Sequence, residues 1–118
     1  ALSQDGPERA RLRGAVGSEA VVEISALAWY EFCRGPRTAE ETAAARELFS
    51  EDGVVPFTRG LAERAAEQFR RLGSPRRRAA DIAVGTTAVE RDAVLLSRNA
   101  RDFAGIEGLR VEPWTKAG

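Results

Sequence analysis

The chain has 118 residues, a length that fits one domain around one core and excludes a multidomain machine. Its 18 Lys and Arg balance 18 Asp and Glu, which argues against a protein coated in positive charge for gripping long nucleic acid, though not against a local basic groove. It has no His and one Cys, which excludes His-dependent nucleophilic catalysis, His-ligated zinc and an internal disulfide, and leaves carboxylates as the ligands for any metal.

Pro7 to Val16 predicts a helix, with Asp5 as its N-cap. Val21-Val22-Glu23-Ile24 reads as a short strand, and Ser25 caps a helix running to about Arg34, where Gly35-Pro36 stops it. Thr38 and Glu41 form a capping box for a helix to about Ser50, with an apolar stripe of Ala44, Ala45, Leu48 and Phe49. Gly53 opens a strand from Val54 to Phe57. Thr58 caps the next helix, whose stripe is Leu61, Ala65, Phe69 and Leu72 and which Gly73 ends. Ser74-Pro75 starts another helix, to about Arg91. Ala93-Val94-Leu95-Leu96 is apolar on consecutive positions, as in a strand covered on both faces. A short helical piece at Ala100 to Ala104 leads to a last strand, Leu109 to Glu112.

Strands alternate with helices, so the expected class is α/β with a mainly parallel sheet. In such sheets the active site forms outside the carboxyl ends of the strands. Acidic residues do gather there. Glu31 is the one carboxylate in the apolar run Ile24 to Cys33, about two turns into a helix. It calls for a partner, either a metal or Arg34 three residues on. Asp81 follows Arg76-Arg77-Arg78-Ala79-Ala80, so Arg77 and Arg78 offer it an ion pair one turn earlier. Ser97, Asn99 and Asp102 directly follow the most apolar strand. They are placed to aim oxygens into one crevice, or to make turns and caps. Clustered carboxylates repel unless a cation neutralises them. Mg²⁺ or Mn²⁺ would do so and would make a hydrolytic centre.

Three segments carry a family resemblance. Ile24-Ser25-Ala26-Leu27-Ala28-Trp29-Tyr30-Glu31-Phe32-Cys33-Arg34-Gly35 resembles the second acidic motif of PIN-domain ribonucleases of the VapC toxin type. Arg78-Ala79-Ala80-Asp81-Ile82-Ala83-Val84-Gly85-Thr86 is similar to the third, and Ser97-Arg98-Asn99-Ala100-Arg101-Asp102-Phe103 to the closing one. The resemblance covers essentially the whole chain. It implies a single α/β/α sandwich domain and a metal-dependent endoribonuclease in which Glu31, Asp81 and Asp102 bind Mg²⁺ or Mn²⁺ and Asn99 and Ser97 support them. It also implies a cognate antitoxin, a homodimer, and a tRNA or rRNA target.

One departure stands out. The family opens with a central strand that ends in a metal-binding Asp, and here no strand is expected before the first helix. Asp5 reads as a helix cap, and Ala1-Leu2-Ser3 as the tail of a preceding helix. With no Met anywhere, the natural protein is expected to carry roughly ten more residues, a strand and a turn, at its N-terminus. A sheet without that strand would have unpaired edges and an open core, unless another chain filled the gap.

The leading expectation is a toxin-type ribonuclease, with Arg76, Arg77, Arg78 and Arg98 attracting the RNA backbone. The alternative is a PIN-like module that holds a protein partner and cleaves nothing. A phosphoacceptor receiver domain would need a Lys near the pocket, and Lys116, the one Lys, is badly placed. Trp29, Tyr30 and Cys33 are expected in the core or on a dimer face. No membrane span or signal peptide is visible, and the expected location is the cytoplasm.

Overall fold

The computed structural model describes residues 11–14 and 21–113. The expected helix tail at Ala1-Leu2-Ser3, the expected cap Asp5, and Lys116 lie outside the described residues. Among the described residues, no helix is long and apolar enough to cross a membrane.

One five-stranded sheet organises the chain. Its strands are β1 (Arg11–Gly14), β2 (Val21–Ser25), β3 (Val54–Val55), β4 (Ala93–Ser97) and β5 (Arg110–Pro113), in the spatial order β3-β2-β1-β4-β5. The helices are α1 (Ala26–Arg34), α2 (Ala39–Leu48), α3 (Arg59–Arg71) and α4 (Ala79–Glu90). β2 pairs with β3 in parallel and β4 pairs with β5 in parallel, whereas β1 lies between β2 and β4 and is antiparallel to both. Four strands therefore share one direction, as the α/β reading expects, and the central one opposes them.

That central strand overturns the expected helix over Pro7 to Val16, of which Arg11–Gly14 is described. It also overturns the expectation of an empty slot. The inner edges of β2 and β4 each carry backbone N–H and C=O groups that must be paired when buried. β1 supplies a partner to both, and this long-range demand overrides the local helix preference of the segment.

Local signals set most other boundaries. Ser25 Oγ accepts the Ala28 N–H at 3.0 Å and starts α1. Thr38 and Glu41 make the expected reciprocal capping box on α2, at 3.1 and 2.9 Å. Thr58 Oγ1 accepts the Leu61 N–H at 3.2 Å and starts α3, and Gly73 turns the chain away at φ +90°. Two details differ from expectation. Arg76–Arg78 is a 3-10 turn before α4 begins at Ala79. On α2 only Ala45 and Phe49 of the expected stripe are buried, while Leu48 is exposed.

α4 is the buried helix of the domain. Every residue from Ile82 to Ala88 is buried. The hydroxyls of Thr86 and Thr87 are satisfied within the helix by the carbonyls of Ile82 and Ala83, at 2.7 and 2.9 Å. α4 packs on β4, whose five residues are all buried, and against both α1 and α3. At Gly85 an added Cβ would stand 2.6 Å from Ile106 Cδ1 and 3.3 Å from Leu109 Cδ2, so the segment after β4 is seated directly on the helix backbone.

An ion pair fixes the far end of α4. Glu23, in the middle of β2, is 8% exposed, and both its oxygens accept from the Arg91 guanidinium just past the helix. The hydrogen bond to Glu23, then its charge, push the Arg91 guanidinium above its ordinary range.

Arg91→Ala is expected to cost about 1–3 kcal/mol, because a buried carboxylate loses its donor. A lowered urea midpoint checks this, and Glu23→Gln should lower it less. Gly85→Ala gains helix propensity but overpacks Ile106, for a net loss of about 1 kcal/mol. Thermal unfolding of that variant at or above the wild-type midpoint would contradict the close seating.

Candidate active site

The strand ends define the site. β2 and β4 end in Ser25 and Ser97, each 1% exposed. The β1 register pairs Arg11 with both Ile24 and Leu96, so the two serines lie on one face, one step beyond the amino end of β1. Both hydroxyls are committed locally. Ser25 caps α1, and Ser97 Oγ accepts the Asn99 N–H at 3.0 Å, turning the chain out of β4.

Helix length brings Asp81 to the same edge. α4 leads into β4 through the tight turn at Arg91-Asp92 and packs along it. From Asp81 to Glu90 the helix rises about 13 Å, which matches the roughly 13 Å run of β4. By these lengths the first turn of α4 reaches toward the Ser97 end of β4, and the half-buried Asp81 lies in that turn, where the helix dipole favours a negative charge. Asp102, also half-buried, lies in the 3-10 turn Ala100–Phe103 that follows Ser97 and packs on α4. Its N–H donates to the Asn99 carbonyl at 3.0 Å, and Asn99 itself is exposed.

Glu31 is set apart. It is the sixth residue of α1, about 9 Å of helix rise from Ser25. Its carboxylate is 4.0 Å from Arg34 Nη2, so the alternative partner raised by the spacing is engaged. α1, which carries Glu31, packs against α4, which carries Asp81. Among the described residues, no group of three or more Asp, Glu or Cys side chains is close enough to hold a metal ion. Asp81 and Asp102 lie on touching elements, and Glu31 lies on a neighbouring one. That set fits a hard ion such as Mg²⁺ in its usual manner of binding, one or two carboxylates completed by water and substrate phosphate. It does not fit a closed protein cage.

The arginines separate into two kinds. Arg76, Arg77 and Arg98 are exposed. Arg78 is half-buried, and its guanidinium is spent on backbone: Nε donates to the Asp102 carbonyl at 3.2 Å and Nη2 to the Ala104 carbonyl. Nothing in the sequence pattern signals carbonyl partners so far along the chain.

A separate cleft of about 570 Å³ lies between α1, α2 and β3, lined by Trp29, Cys33, Thr42, Arg46, Phe49 and Val54. Trp29 stacks on Phe32 at 5.6 Å and meets Phe49 edge-on at 6.3 Å. Tyr30 is 58% exposed and Cys33 is also exposed, so of the two places expected for them the core is excluded.

No curated protein and no solved structure matches the chain. The family model of the PIN domain, a fold whose members are typically nucleases working with divalent metal ions, matches residues 1–109, and the chain belongs to that family.

Proposed function

We propose that the chain is an endoribonuclease of the toxin type, paired in its cell with a protein antitoxin, and that Mg²⁺ or Mn²⁺ is its cofactor. The observation that carries the proposal is the packing of α4, which bears Asp81 in its first turn, against the 3-10 turn that follows β4 and bears Asp102. The carboxyl ends of the strands are where an α/β fold places its chemistry. The toxin reading is supported by the three segments around Glu31, Asp81 and Asp102, in their order and spacing.

Asp81 and Asp102 would hold the ion, with Glu31 on the adjacent helix. Ser97 and Asn99 keep the turn that carries Asp102 in place. The ion would supply a water of lowered pKa and would steady charge on the phosphate. The exposed Arg76, Arg77 and Arg98 are available to the RNA backbone, each as a salt-sensitive contact. tRNA or rRNA is the proposed target class, and the active form is proposed to be a homodimer.

A second reading, a PIN module that binds a protein and cleaves nothing, is favoured by one observation: the described carboxylates make no three-fold group. The two readings part in one experiment. RNA cleavage is measured in Mg²⁺ and in Mn²⁺ for wild type and Asp81→Asn. The nuclease reading expects cleavage by wild type and a loss on the order of a hundredfold or more in the variant. Equal rates reject the assigned site. No cleavage by wild type, with no Mn²⁺ binding by calorimetry in the presence of RNA, supports the module.

A further inference from the structure

The segment that bears Asp102 is held by a set of side chains that the nuclease chemistry itself does not call on. Arg78 donates to the carbonyls of Asp102 and Ala104. Arg71, at the end of α3, donates to the Gly105 carbonyl and, at 2.8 and 3.2 Å, to Gln68 Oε1. The same Gln68 oxygen accepts the Glu107 N–H at 3.4 Å. Beneath them, Phe103 and Ile106 are buried, and Gly85 leaves no room for a Cβ against Ile106. The strand after this segment, β5, is an edge strand whose residues are exposed or half-exposed, and it is tied to the sheet on one side only, through β4.

Arg78 differs from the other tethers in what it joins. It touches the backbone of Asp102 itself, and it precedes Asp81 by one helical turn on the same continuous stretch, the 3-10 turn running into α4. One side chain thus links the two carboxylate-bearing segments. A guanidinium suits this task. It is planar, permanently charged and rigidly forked, so it can bridge two carbonyls at once, whereas a Lys ammonium is a point charge on a flexible stem. Its charge also faces carbonyls at the end of a 3-10 turn, where backbone dipoles favour a cation.

We propose that Arg78 is a positioning residue that sets the spacing of Asp81 and Asp102, and that it is not one of the contacts to RNA phosphate. The proposal rests on the nuclease reading for its effect on rate, and on the described hydrogen bonds for its effect on the 99–107 segment.

The test compares Arg78→Ala and Arg78→Lys with Arg98→Ala, an exposed arginine near the same edge. Three quantities are read: kcat and KM for RNA cleavage in Mn²⁺, the salt dependence of RNA binding, and amide hydrogen exchange over 99–107. Positioning predicts a fall in kcat of roughly ten- to a hundredfold for Arg78→Ala, because small misplacements of reacting groups are costly. KM and the salt slope should stay near wild type. Arg78→Lys should not restore kcat, since a shorter, flexible ammonium does not reproduce the rigid fork that spans the two carbonyls. Exchange over 99–107 should quicken in both variants, with the amides of α3 unchanged as the sign that the fold persists.

A phosphate contact predicts the reverse: weaker RNA binding, a salt slope reduced by about 0.7, and rescue by Lys. That pattern, or unchanged exchange over 99–107, overturns the proposal. If wild type does not cleave RNA, the nuclease reading fails on that result. The exchange measurement still decides whether Arg78 holds the segment.

Discussion

The sheet depends on what fills the space between β2 and β4. Both strands are covered, and each has an inner edge of backbone donors and acceptors that water cannot reach once the domain closes. A strand must lie there, or the centre of the sheet opens. β1 meets the demand with four residues, antiparallel on both sides. The direction matters for function. A strand running with its neighbours would bring its carboxyl end to the edge where Ser25 and Ser97 stand, and β1 brings its amino end there. Among the described residues, the chemistry proposed for that edge draws on α4, on α1 and on the segment after β4.

α4 converts sheet geometry into site geometry. It is buried along most of its length, which leaves it little freedom to shift. At one end Arg91 is fastened to Glu23 of β2. At the other, the first turn of the helix carries Asp81 toward the Ser97 end of β4. On its flank, Gly85 allows Ile106 and Leu109 to sit against the backbone, which brings the Asp102 segment alongside. In the proposed site, the small residue at this contact and the carboxylate one turn away would serve a single need: two acidic groups on touching elements, carried by a frame stiff enough to resist their repulsion. An incomplete protein donor set is compatible with such a site, because Mg²⁺ accepts substrate phosphate as a ligand.

Much of this was legible in the sequence where the signal is local. Ser25, Thr38 with Glu41, and Thr58 all cap the helices they were expected to cap, because a side-chain oxygen near its own N–H needs no distant partner. The consecutive apolar residues of β4 announced a strand buried on both faces. That Asp81 and Asp102 fall on neighbouring elements near the ends of strands was also legible, and α4 does pack on the 3-10 turn that carries Asp102. What the sequence hid is long-range. Arg11–Gly14 carries two charged residues in four, unlike a typical central strand of an α/β sheet, and it pairs as one only because β2 and β4 need it. Glu23 with Arg91, and Arg78 with the carbonyls of Asp102 and Ala104, join residues far apart in the chain. No spacing rule reaches across such distances. Glu31 shows the intermediate case: its motif was plain, yet its depth along α1 sets it apart from the other carboxylates.

The central claim is that Asp81 and the Ser97–Asp102 segment form one ion-binding edge. The most direct measurement is paramagnetic line broadening of backbone amides as Mn²⁺ is titrated into the protein bound to a non-cleavable RNA. The account predicts that the amides of Asp81, Ser97 and Asp102 broaden first and together, and more strongly with RNA present than without it. Broadening centred elsewhere in the domain, or none at these residues when the RNA is bound, would contradict it.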